Sequence, residues 1–172
     1  MLAVYAFYSY IGNLNHQNLP LEIQQMICLI ILCVLCRSLP IHYGDGQQAL
    51  DVSVVSILAA VITKGPFAAM CVYLISSLFT VEYDKGTKTY LHLYNTSFLK
   101  SAFNNSNLMI SILVPSLLFI AAGGTPGKAT LPSVIWPAFL FTSFAFLLNY
   151  IILNFVFVLN KQITIIEAVD MV

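Results

Sequence analysis

The chain has 172 residues, 59% of them hydrophobic and only 8% charged, with a mean hydropathy of +0.88. A soluble domain of this size carries roughly a quarter charged residues. Seven basic and seven acidic side chains cannot supply that coat, so soluble enzymes and soluble binding modules are excluded. The net charge is zero, and with no basic patch to meet phosphate backbones, nucleic acid is excluded as a partner. The first partner the composition implies is the lipid bilayer.

A helix that crosses lipid needs about 20 largely apolar residues, so apolar runs bounded by charge, Pro and Gly define the segments. Six are expected, giving an all-α, polytopic membrane helix bundle in a single integral membrane domain over 1–172. The first, about 1–12, has no Lys or Arg ahead of it and no small-residue cleavage site after it, which argues against a secretory signal peptide. It is short for a span. The second, about 19–39, opens at Pro20 and closes with Arg37 and Pro40. The third and fourth, about 50–63 and 66–81, are separated only by Lys64-Gly65-Pro66 and form a short helical hairpin or a re-entrant pair.

A polar stretch over 82–107 holds Glu82, Asp84, Lys85, Lys88 and Lys100, interleaved with Tyr83, Tyr90, Tyr94 and Phe98. That mixture predicts an interfacial cytoplasmic segment lying on the membrane. The fifth segment, about 108–122, contains Pro115 and ends at Gly123-Gly124. The sixth, about 132–159, is the longest, and Trp136 near its start suits an interfacial anchor. Across six spans, Arg37, Lys85, Lys88, Lys100 and Lys161 fall on one side, and Lys64 and Lys128 on the other. The excess of basic residues predicts a multi-pass protein of the cell membrane with both termini cytoplasmic.

No set of residues points to catalysis, and no cofactor or metal is expected. Gly123-Gly124-Thr125-Pro126-Gly127-Lys128 is one residue too short for a phosphate-binding loop and is followed by Ala129 rather than Ser or Thr. Cys33-x-x-Cys36 lies inside an apolar run, where thiols serve as small packing residues. His16, His42 and His92 share no helical face with a second ligand. Ionisable and amide groups near membrane depth are more informative, because each must find a partner. Asp51 and Lys64, at opposite ends of the third segment, are roughly 20 Å apart and too distant to pair; Lys64 is expected to snorkel. Asp51 and Gln47, with Asn104, Asn149 and Asn154 from the later segments, are the candidates for lining a ligand cavity. The amides serve equally as helix–helix glue.

The order of features carries a resemblance. Leu39-Pro40, a polar loop with Gly44 and Gly46, the run Asp51–Ile62, Gly65-Pro66-Phe67-Ala68-Ala69, Phe103-Asn104 and Leu147-Leu148-Asn149 together resemble the N-terminal transmembrane region of bacterial HD-domain phosphohydrolases and GGDEF-type diguanylate cyclases. The resemblance implies a non-catalytic sensory or regulatory module that binds a small or lipophilic ligand between its helices and signals to a cytoplasmic protein. Val55 or Ser56 replaces the glycine of that pattern, and the resemblance carries over no phosphohydrolase or cyclase activity. The chain also resembles, more weakly, the substrate-binding subunits of energy-coupling-factor transporters. That likeness would imply a vitamin-like solute and an energising partner, but no Ala-x-x-x-Ala coupling motif is present.

Overall fold

The computed structural model describes residues 19–39, 41–43, 48–50, 52–84 and 88–159. Among them are five helices: α1 (Leu19–Ser38), α2 (Ser53–Lys64), α3 (Pro66–Phe79), α4 (Phe98–Ala121) and α5 (Ile135–Leu159). Two antiparallel hairpins connect them. Strands β1 (Ile41–Tyr43) and β2 (Gln48–Leu50) pair Ile41 with Leu50, and β3 (Val81–Asp84) and β4 (Thr89–His92) pair Val81 with His92.

Three helices, over Pro20–Ser38, Phe98–Ala121 and Ile135–Val156, are long and apolar enough to cross a membrane. This corrects the expectation of six. The segment over 1–12 lies outside the described residues. Helices α2 and α3, with 12 and 14 residues, extend about 18 and 21 Å, short of a hydrocarbon layer of about 30 Å. The polar 82–107 stretch divides between the β3–β4 hairpin and the first turns of α4, which starts ten residues before the expected 108.

Local chemistry sets the boundaries. Pro20 and Glu22 open α1 and Arg37 closes it, placing acidic and basic charge where the helix dipole favours each. Gly65, at φ +92°, and Pro66 at the first position of α3 reverse the chain without a spacer. Ser97 caps α4, its Oγ accepting from the Lys100 N–H at 3.4 Å.

The short hairpin is the heart of the bundle. Ala60, Val61, Ala68, Ala69, Val72 and Tyr73 have no exposed surface, and the three alanines let neighbouring helices approach closely. Cys33 of α1, Ile112 and Phe119 of α4, and Phe141 of α5 complete the core. Helices α1 and α5 direct large apolar side chains outward, among them Ile23, Ile27, Ile31 and Leu35, and Phe139, Leu147, Ile151 and Phe155. An outward apolar surface of this kind suits lipid rather than water.

Candidate functional site: a polar seam inside an apolar bundle

The five described helices run alternately between two ends of the bundle. One end holds the start of α1, the α2–α3 turn and the loop after α4. Its anchor is an ion pair from Lys64 Nζ to Glu22 Oε2 at 2.5 Å, with side-chain exposures of 10% and 23%. Lys64 is thus tied to α1, which corrects the expectation that it snorkels. The glycine-rich loop packs against the same corner: Gly127 N–H donates to the Ile62 carbonyl at 2.9 Å, and Pro126 lies against Gly65. The loop thereby satisfies a carbonyl that the end of α2 leaves open. Trp136, exposed and stacked on Phe139 at 5.8 Å, stands at the start of α5.

The other end holds the hairpins, Arg37, Lys88 and Lys100. Here the Val81 N–H donates to Ser38 Oγ at 3.3 Å, fastening α1 to β3. The aromatic residues of the second hairpin sit on this end, with Tyr83 and Tyr90 5.2 Å apart and Tyr94 strongly exposed. Of the described basic residues, Arg37, Lys88 and Lys100 occupy the hairpin end, and Lys64 and Lys128 the opposite one.

Between these ends runs a series of polar contacts. The Ser76 hydroxyl donates to Cys33 Sγ at 3.2 Å, joining α3 to α1. The Arg37 guanidinium lies over the Tyr73 ring, 4.5 Å from its centre, and Tyr73 OH donates to Asn105 Oδ1 of α4 at 3.3 Å. Two residues along, Asn107 Nδ2 donates to Asn149 Oδ1 of α5 at 2.7 Å. Three polar atoms in this region are enclosed and have no hydrogen-bond partner: Arg37 Nη1, Asn107 Oδ1 and Ser111 Oγ. Asn107 and Ser111 are 3% and 2% exposed. At positions i and i+4 they share one face of α4, and buried Pro115 continues that face.

The cavity candidates separate. Asn149 enters the seam through Asn107. Asn154 turns back on its own helix, its Nδ2 donating to the Tyr150 carbonyl at 3.0 Å, and Asn104 is exposed. Asp51 and Gln47 are outside the residues whose side chains are described. Arg37, Tyr73 and Ser111 join the seam although the sequence does not mark them as cavity residues. Spacing could have revealed Asn107, Ser111 and Pro115 as one face, whereas the Arg37–Tyr73 contact depends on tertiary packing alone.

Cys33 is fully buried in the core, whereas Cys36 is half-buried. Among the described residues, no group of three His, Cys, Asp or Glu side chains could hold a metal ion. The class these features define is an α-helical bundle with, among the described residues, three membrane-crossing candidates and a polar seam beside an apolar core. Comparison with family models, with curated proteins and with solved structures finds no match.

Proposed function

We propose that this chain is a non-catalytic, membrane-embedded sensory or regulatory module that binds a small ligand between α4 and its neighbours. One observation carries the proposal: Asn107 Oδ1 and Ser111 Oγ are buried side by side on one helix face with no protein partner. Most buried polar groups in proteins are satisfied, and an orphan costs about 1–3 kcal/mol. In an apolar bundle that cost is offset by a guest that donates to the amide oxygen and exchanges a hydrogen bond with the hydroxyl. Suitable guests are small molecules bearing a hydroxyl or amino group on an apolar body.

The contact from Asn107 to Asn149 couples such a guest to α5. A ligand signals only if it binds two arrangements of the bundle unequally, and the Asn107 amide offers that difference by rotating between Asn149 and the guest. The resemblance to transmembrane sensor regions agrees with this role. The test is a thermal-stability screen of the detergent-solubilised protein against small alcohols, amines, nucleobases and vitamins. A binder should stabilise the wild type and leave Asn107→Leu/Ser111→Ala unmoved. A panel that never separates the two proteins contradicts the proposal.

A further inference from the structure

Arg37 is the only arginine in the chain. It stands in the last turn of α1, where side chains lean toward the helix N-terminus and hence back into the bundle. Its guanidinium accordingly lies over Tyr73, two turns before the end of α3 and about 9 Å inside it. One guanidinium nitrogen, Nη1, is enclosed and donates to nothing. The single ion pair among the described residues is Lys64–Glu22, at the opposite end.

A charged group at this depth is costly unless paired, and contact with a tyrosine face offsets only part of that cost. Lysine would present a compact point charge on a flexible stem. Arginine instead presents a rigid fork whose parallel N–H groups match the oxygens of phosphate or carboxylate. The surroundings suit an anion. The Tyr73 ring faces the guanidinium and its hydroxyl donates to Asn105 Oδ1, and the polar first turns of α4 and the second hairpin, with Lys100 and Lys88, belong to the same end of the bundle.

We infer that Arg37, supported by Tyr73 and Asn105, is an oxyanion site at the hairpin end of the bundle that takes a phosphate group, either from a lipid headgroup or from a free anion. The site is separate from the Asn107–Ser111 pair: Asn105 faces α3 whereas Asn107 faces α5.

A single arginine makes the test specific. Full-length protein labelled with ¹⁵N-arginine in dodecyl maltoside gives one side-chain Nε–H signal, which is followed while dihexanoyl phosphatidylglycerol, inorganic phosphate or uncharged dihexanoylglycerol is added. Saturable movement of the signal with phosphatidylglycerol alone assigns a lipid phosphate, and movement with inorganic phosphate as well assigns a free anion. In parallel, the effective phosphate probe should raise the melting temperature of the wild type by several degrees. It should raise that of Arg37→Lys by less and leave Arg37→Gln unchanged. If Arg37→Gln does not fold, the wild-type resonance still decides the matter. A signal unmoved by every phosphate probe, or moved equally by uncharged dihexanoylglycerol, overturns the inference.

Discussion

Replacing Asn149 with leucine removes the acceptor that lies 2.7 Å from Asn107 Nδ2. Asn107 is 3% exposed and its Oδ1 is already without a partner, so the substitution leaves a whole amide unsatisfied inside the bundle. The loss should approach the cost of a stranded buried polar group, about 1–3 kcal/mol. Asn107→Leu is expected to cost less by about 1 kcal/mol, because it strands only the half-buried Asn149 and also removes the orphan oxygen. Joining both substitutions replaces the polar pair by an apolar one and should come close to neutral. With the double variant near neutral, the coupling energy equals the sum of the two single losses, about 1–5 kcal/mol, the lower end being typical of hydrogen bonds between membrane helices. Reversible unfolding of the four proteins, by titrating dodecyl sulfate into dodecyl maltoside micelles, measures each term. A coupling near zero, or a greater loss for Asn107→Leu than for Asn149→Leu, would refute the reasoning.

Three further outcomes are expected. Glu22→Gln leaves the Lys64 ammonium, only 10% exposed, without its carboxylate and should lower stability by about 1–3 kcal/mol after allowing for partial solvent screening; the exchanged pair Glu22→Lys/Lys64→Glu should recover most of it in the same unfolding assay. In Gly124→Ala the new methyl group overlaps the ring of Phe119, which is fully buried and cannot move away, so a loss of about 1–3 kcal/mol is expected and should be largely relieved by adding Phe119→Leu. Cysteines placed at Lys88 and at Lys128, in a chain freed of its native cysteines, should react with an impermeant maleimide from opposite faces of sealed vesicles. Labelling of both from one face would contradict the segregation of the two bundle ends.

The elements most legible in the sequence were those bounded by local signals. Pro20 and Arg37 framed α1 to within a residue, and Lys64-Gly65-Pro66 marked the turn between two helices too short to need lipid on both sides. Hydropathy failed at α4 because it reports apolarity rather than helical backbone. Lys100, Ser101, Asn104, Asn105 and Ser106 read as an interfacial stretch, yet they form the polar opening turns of a helix capped by Ser97. The hairpins escaped notice since strands of three or four residues are too short to display an alternating pattern. In the seam, the requirement that a membrane amide find a partner foretold that Asn149 would be paired. It could not say that the partner would be Asn107, nor that Arg37 would settle on Tyr73, because these contacts join residues 42 and 36 positions apart.

The central claim is that the polar seam beside α4 houses a small guest. Native mass spectrometry of the wild type released from mild detergent, compared with Asn107→Leu/Ser111→Ala prepared identically, tests it most directly. The account predicts a discrete small-molecule adduct on the wild type that is absent from the double variant. An identical adduct pattern in both proteins, or bare protein in both, would contradict it.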